Sequence, residues 1–185
     1  MSSKKPMLLV FAGPNGSGKS TIIQNFNIVG EYTNVDDVVS ATGMSFKEAT
    51  KFADEKRYAA IDDNRDFTFE TVLSSEYKID IIKKAKEQGY FIKCIFILTV
   101  DPKINIARVK ARVASGGHDV PRDKTISRYY KSLAHIKDLI VLCDILHVYD
   151  NSTKQPVRII RKHKNSITIY PNKLWSVGKI VELLK

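Results

Sequence analysis

Apolar positions along this chain fall in short separated blocks. Met7 to Ala12 (MLLVFA) is an unbroken apolar run between Pro6 and Gly13, the pattern of a parallel strand buried on both faces. Tyr90 to Val100 (YFIKCIFILTV) is the strongest such run. Shorter strands are predicted at Tyr32 to Val39, Asp66 to Leu73 and Asp144 to Tyr149. Between them the period changes to that of helices. Ser45 to Ile61 opens with a Ser45/Glu48 capping-box spacing and carries Phe46, Ala49, Ala53 and Ala60 on one face. Glu76 to Gln88 turns Ile79, Ile82 and Ala85 inward and ends at Gly89, a C-cap residue. Asp101-Pro102 is a helix start, with Asp at the N-cap and Pro in the first turn. Asp123 to Leu142 reads as one further helix.

Strands alternating with helices predict an α/β fold of βαβ units, here a five-stranded, mainly parallel sheet flanked by helices. Beyond Ser152 the pattern changes. Val157 to Ile160 and Ser166 to Tyr170 flank a basic turn, Arg161 to Asn165, and predict a β-hairpin on the sheet edge, with a short helix from about Leu174. The expected organisation is a single domain over 1–185, with a lid-like loop at 115–123 and the hairpin and helix at 154–185. In such folds ligands sit at the carboxyl ends of the strands. The Gly13 loop, Asp36–Asp37, Glu70, Asp101 and Asp150–Asn151 all fall there.

Composition narrows this picture. No stretch of 18 apolar residues occurs, so no membrane span is expected. The short basic and then apolar N-terminus runs into GPNGSGKS rather than a cleavage site, which predicts a cytoplasmic protein. Cys94 and Cys143 lie in apolar surroundings without metal-ligand spacing and read as reduced core thiols. The net charge of +10 favours polyanionic partners without choosing among them.

The sharpest motif is Gly13 to Ser20, G-x-x-x-x-G-K-S, set between an apolar strand and a helix. Glycines let consecutive backbone N–H groups curl around phosphate oxygens, and the helix N-terminus adds its positive end. The nucleotide set is therefore Gly13, Pro14, Asn15, Gly16, Ser17, Gly18, Lys19, Ser20 and Thr21. In it Lys19 reaches the β- and γ-phosphates and the Ser20 hydroxyl ligates Mg²⁺. ATP or GTP with Mg²⁺ is the implied cofactor pair.

Transfer of the γ-phosphoryl group needs a base for the acceptor hydroxyl. Asp36 and Asp37 end the second predicted strand, where adjacent side chains point to opposite faces. Only one then serves, and Asp36 is preferred; the other reading is a helix-capping pair. Glu70 and Thr71, ending the third strand, are substrate candidates: a carboxylate there can accept hydrogen bonds from sugar hydroxyls of the acceptor or hold Mg²⁺ through water. Arg108 and Arg112 share a helix face, and Arg122 and Arg128 follow the GGHDVP loop. Guanidinium groups there would stabilise charge on the transferred group, with Gly116 and Gly117 as hinges. His118 is a contact residue in the loop; His135, His147 and His163 read as structural or exposed.

FAGPNGSGKST (Phe11 to Thr21), NVDD (Asn34 to Asp37), FETVLSS (Phe69 to Ser75), RVKARVASGGHDVP (Arg108 to Pro121), SRYYKSL (Ser127 to Leu133) and YDNS (Tyr149 to Ser152) together resemble the zeta toxin family of P-loop kinases. The resemblance implies ATP- or GTP-dependent phosphorylation of a hydroxyl on UDP-N-acetylglucosamine. It gives Lys19 to phosphate binding, Asp36 as base, Glu70 to the acceptor, and Arg112 and Arg128 to the transferring group. The family's N-A-D reads Asn34-Val35-Asp36 here, and its doubled arginine reads Ser127-Arg128. An antitoxin protein is a further implied partner, although no antitoxin segment lies in this chain. The competing reading is a nucleic-acid-associated NTPase or nucleotide-binding module. It rests on the net charge and on Lys154 to Lys164, a stretch with five Lys/Arg and no acid. The sequence displays no aromatic platform to accompany it.

Overall fold

The computed structural model describes residues 5–185. The chain folds into one mixed seven-stranded sheet with helices on its faces. β1 (Met7–Ala12) ends in the glycine-rich loop, and α1 (Lys19–Ile23) follows. Next come β2 (Glu31–Thr33), α2 (Val35–Thr42), α3 (Phe46–Asp62), β3 (Phe67–Thr71), α4 (Glu76–Glu87) and β4 (Phe91–Leu98). α5 (Pro102–Ala114), α6 (Arg122–Ala134) and α7 (Ile136–Leu142) lead to β5 (Ile145–Asp150). The hairpin β6 (Val157–His163) and β7 (Ser166–Ile169) and the helix α8 (Val177–Glu182) complete the chain.

The strand order is β2-β3-β1-β4-β5-β6-β7. β2, β3, β1, β4 and β5 run parallel, and β6 and β7 join antiparallel. The sheet is thus the expected five parallel strands extended by the hairpin. β1 lies between β3 and β4, with Val10 opposite Phe69 on one side and Cys94 on the other. That central place explains why MLLVFA carries no polar residue: Leu8 to Ala12 are all buried.

Most of the core lies on one sheet face. Ala60 and Ile61 of α3, Ile79, Ile82 and Ala85 of α4, Ile136 and Leu139 of α7, Trp175 and Ile180 of α8 pack there on Leu8, Phe69, Phe96, Leu146 and Ile160. The other face holds a smaller cluster of Leu9, Phe11, Ile22, Ile95 and Ile97, which α1 and the segment after it cover. Cys94 and Cys143 are both free and buried, and burial raises the Cys94 thiol well above its ordinary value.

Two elements differ from the sequence pattern. β2 stops at Thr33, and Asp36 and Asp37 lie in the first turn of α2, not at a strand end. The Asn34 side chain accepts a hydrogen bond from the Asp36 N–H (3.1 Å) and caps this helix. The two carboxylates then meet the positive end of the helix. Val38 and Val39, which mimic a strand in sequence, sit on a helix with no buried residue. The predicted single helix 123–142 is two helices broken at His135, whose Nδ1 pairs with Asp138 Oδ2 at 2.8 Å. The capping box of α3 and the Asp101 cap of α5 form as expected.

Candidate active site

A cleft of about 710 Å³ opens at the carboxyl ends of the parallel strands. The loop after β1 forms its floor, with Gly13, Gly16 and Gly18 at φ 142°, 74° and 90°. At Gly18 the need for glycine is double, because that φ is left-handed and a Cβ would stand 2.3 Å from Asn151 Nδ2. Three elements clamp the loop. Asn105 of α5 donates from Nδ2 to Asn15 O (2.6 Å), and the Thr99 hydroxyl bonds its Oδ1. Arg128 of α6 donates to Asn15 Oδ1 (3.4 Å). Past the end of β5, Asn151 donates from Nδ2 to Ser17 O (2.8 Å), and Arg108 donates to the Asn151 carbonyl (2.8 Å).

The Lys19 ammonium donates to Gly13 O (2.8 Å) and Pro14 O (3.2 Å) and lies 3.9 Å from Glu70 Oε1. Burial lowers its pKa, opposed by Glu70 and Asp36. Glu70 accepts from Tyr32 OH (3.1 Å) and Asn34 Nδ2 (3.4 Å). Burial raises its pKa, with Lys19 the main opposing influence. Burial and the Glu70 carboxylate raise Tyr32 far above the ordinary phenol range. A buried cation, a carboxylate and a phenol are therefore held together at the end of β3.

Asp36 lines the cleft, and Asp37, its neighbour on the helix turn, does not. Strand alternation does not apply to two residues of one helix turn; what distinguishes Asp36 is that it faces the cleft. Of the expected nucleotide set, Asn15, Gly16, Gly18, Lys19, Ser20 and Thr21 face the cleft. Gly13, Pro14 and Ser17 are buried behind them. Glu70, Thr71, Arg108, Arg112, His118 and Arg128 line the walls. Thr71 spends its hydroxyl on the Leu73 N–H (3.0 Å). Arg112 donates to His118 O (2.7 Å), fastening the loop between α5 and α6 to the helix before it. That loop ends at Pro121, so residues 122 and 123 belong to α6. Arg122 sits apart, in a separate surface hollow beside Trp175 and Glu182. Asp101 and Asp150 do structural work, as the cap of α5 and as an acceptor for the Ser152 hydroxyl.

The far wall contains residues that sequence reasoning missed. Arg57 is 1% exposed, donates to Asp54 (2.8 Å) and Thr33 Oγ1 (2.9 Å), and stacks 4.6 Å from the Phe69 ring centroid. Lys78 of α4 donates to both Asp54 oxygens at 2.7 Å. Two cations sharing one carboxylate leave net positive charge beside Phe46, Thr50, Ser74 and Ser75.

The donor set fits a phosphate chain. Ser17 Oγ and Arg108 Nη1 are buried polar atoms with no hydrogen-bond partner among the described residues. The backbone curls at three glycines, and Lys19 offers a cation whose present partners on the loop are neutral carbonyls. Ser20, exposed at the start of α1, is the residue in place for a cation beside those phosphates. Among the described residues no cluster of three His, Cys, Asp or Glu forms a metal site by itself. No helix among them is long and apolar enough to cross a membrane.

A family model described as Zeta toxin matches residues 29–174, beginning just after the glycine-rich loop and α1. An uncharacterized protein of Haemophilus influenzae (strain ATCC 51907 / DSM 11121 / KW20 / Rd) is 33% identical over 128 residues, 65% of this chain and 91% of that protein. A structure of the AvrRxo1-ORF1:AvrRxo1-ORF2 complex with ATP superposes at TM-score 0.71 and 16% identity over 98% of this chain. The present chain spans 64% of the length of that one. A structure from the PezAT chromosomal toxin-antitoxin system of Streptococcus pneumoniae superposes at TM-score 0.62 and 14% identity, over 87% of this chain and 73% of that one.

Proposed function

For a chain that belongs to the Zeta toxin family and has the fold of P-loop kinases, we propose an ATP- or GTP-dependent phosphotransferase acting on a hydroxyl of a small molecule. The observation that carries this reading is the joint occupancy of one cleft by the phosphate cradle, Lys19, Asp36, Arg112 and Arg128. A cradle alone binds a triphosphate. A carboxylate and guanidinium groups facing the same space supply what transfer needs in addition.

In this mechanism Asp36 accepts the proton of the acceptor hydroxyl as its oxygen bonds to the γ-phosphorus and the bond to the β-γ bridging oxygen breaks. Lys19, Arg112 and Arg128 offset the charge that builds on the transferred group and on the departing diphosphate. Glu70 and Thr71 meet the acceptor, and Arg108, with its free Nη1, meets the phosphate chain. Mg²⁺, held on Ser20, would supply further charge neutralisation at the phosphate oxygens. The loop 115–121 acts as a lid, carrying His118 toward the cleft and excluding water.

The acceptor we propose is a nucleotide-sugar such as UDP-N-acetylglucosamine. Support comes from the family resemblance and from the positive wall at Arg57 and Lys78. The structural relative from the PezAT toxin-antitoxin system supports a further proposal, an antitoxin protein as partner. The protein is incubated with ATP, Mg²⁺ and a panel of UDP-sugars, nucleosides and aminoglycosides, and products are read by mass spectrometry. One UDP-sugar gaining a single phosphoryl group is expected. Hydrolysis of ATP without any phosphorylated panel member would overturn the nucleotide-sugar assignment.

A further inference from the structure

The sheet is unevenly covered. On the main-core face, α3, α4, α7 and α8 pack across the strands. On the opposite face, the buried cluster with α1 reaches only β1 and β4, with Tyr149 of β5 at its margin. The parts of β5, β6 and β7 beyond it carry no helix from the described residues on this face, and Arg161, His163, Ser166 and Thr168 are exposed.

Strand register lists what this uncovered face presents. Lys93 of β4 pairs with Ile145, and the next residues of that face are His147 and Tyr149. Across β6, Arg161 stands opposite His147 and Arg158 opposite Tyr149, and Thr168 of β7 stands opposite Arg161. Tyr170, just past β7, stacks under Arg158, whose guanidinium carbon is 5.2 Å from the ring centroid. His147 and Tyr149 pack edge to face at 6.2 Å. None of the β4 to β7 positions on this face is Asp or Glu. Lys93, Arg158 and Arg161 form no ion pair with a described carboxylate, and Arg158 Nε has no hydrogen-bond partner.

We propose that this uncovered face of β5 to β7, with Lys93 of β4 at its margin beside Phe26, binds a single strand of nucleic acid, the bases stacking on Tyr149, Tyr170 and His147 and the phosphates meeting Lys93, Arg158 and Arg161. Sheet faces that offer aromatic rings between guanidinium groups bind unpaired bases this way, because every base has a π-face and the backbone is uniformly anionic. Burial and the surrounding Arg158, Lys93 and Arg161 hold the His147 imidazole down to about 4. It is therefore neutral near pH 7 and offers a flat ring rather than a repelled cation. Four strands at about 4.8 Å spacing give a surface roughly 14 Å across, room for a few nucleotides. A duplex keeps its bases paired and cannot use the rings. An acidic protein segment would satisfy the cations alone and make no use of the ring surface that Tyr149, Tyr170 and His147 leave to solvent. In sequence the platform is invisible, because its rings come from β5 and from the residue after β7, with the arginines between them on β6.

The site is separate from the cleft, so the proposal stands independently of the phosphotransferase reading. Binding of labelled oligonucleotides of about 12 nucleotides, single-stranded and duplex, is followed by fluorescence anisotropy across a salt series, using the full chain with ATP and Mg²⁺ in excess. Expected are preference for the single strand and a linear fall of log affinity with log salt. Arg158→Gln/Arg161→Gln should weaken binding and lower the salt slope by about two. Tyr170→Ala should weaken it about tenfold with the slope unchanged. Lys19→Met, which disables the cleft, should leave binding as it is. Arg161→Gln with Lys93→Gln carries the same test should the Arg158 variant lose its thermal transition. The proposal is overturned by absence of binding at low salt, by equal affinity for duplex, or by face variants that bind like the parent. Displacement of the oligonucleotide by polyglutamate as readily as by unlabelled single strand, with Tyr170→Ala silent, would also overturn it in favour of an acidic protein partner.

Discussion

The Lys19 ammonium and the Glu70 carboxylate stand 3.9 Å apart, only 7% and 11% exposed. Each is displaced by burial toward its neutral form, Lys19 downward and Glu70 upward. Holding the two charges in this buried place costs stability. Between the ordinary carboxyl value of 4.5 and the raised value of Glu70, the native state holds a proton the unfolded chain has lost, so stability falls as pH rises through that window. Between the lowered value of Lys19 and the ordinary 10.5, the unfolded chain holds the extra proton, so stability rises again with pH. Lys19→Met/Glu70→Gln removes both charges while keeping an acceptor for Tyr32 and Asn34. Thermal melts should show this double variant more stable than the parent near pH 7, by about 1–4 kcal/mol. The gap should narrow at both the acid and the alkaline end. A constant gap across pH would sink this account.

Asp36 and Asp37 are neighbours in one helix turn, yet only Asp36 lines the cleft. Asp36→Asn should lower phosphoryl transfer roughly 100- to 10,000-fold while nucleotide affinity changes little. Asp37→Asn should leave transfer within a few-fold of the parent. Single-turnover transfer from labelled ATP, beside nucleotide titration, separates the two effects. If Asp37→Asn is the inactive variant, the base has been assigned to the wrong carboxylate.

The two aspartates also show what the sequence made legible. The glycine-rich loop is readable because its chemistry is local: successive N–H groups, three left-handed glycines and a lysine lie within one short segment. α5 announces itself by Asp101-Pro102, and α3 by Ser45 and Glu48. α2 was missed because Val38 and Val39 look like strand residues, although Asn34 before two acids is itself an N-cap signature. Arg57 gave no signal at all. Asp54 is its neighbour one turn back on α3, but Thr33 and Phe69 belong to β2 and β3, and only the packing of α3 on the sheet brings Arg57 to them. Asn105 is invisible for the same reason, since its hydrogen bond to Asn15 joins residues 90 apart. Asn151 is readable as a residue at a strand end, but its bond to Ser17, 134 residues away, is not.

Between α5 and α6, Gly116 has φ 84°, and a Cβ on Gly117 would stand 2.6 Å from Arg112 Cγ. The loop is therefore built against the arginine it fastens, whose Nη2 donates to His118 O. Arg112→Ala should lower kcat by about 100- to 1,000-fold, the loss typical of removing one donor to developing charge. Gly117→Ala should displace the Arg112 side chain and give a smaller loss in kcat with an unchanged melting temperature. Steady-state kinetics at saturating ATP decide this. A Gly117→Ala protein with parental kcat would show that the loop does not position Arg112.

Asn151 fixes the floor of the cleft from the opposite end of the chain. Its Nδ2 donates to Ser17 O, Arg108 donates to its carbonyl, and its amide fills the space beside Gly18. Asn151→Ala removes the donor and leaves a carbonyl of the phosphate loop unpaired, at a cost of about 1–3 kcal/mol. Nucleotide affinity should fall about tenfold or more, because the loop must then be ordered by the ligand itself. Gly18→Ala should abolish binding outright. Adding Asn151→Ala to it should not restore binding, since the clash with Nδ2 is relieved but φ 90° remains costly for any residue with a Cβ. Titration with a fluorescent ATP analogue measures all three variants. Rescue of Gly18→Ala by Asn151→Ala would mean that the asparagine contact, not the backbone conformation, sets the requirement for glycine.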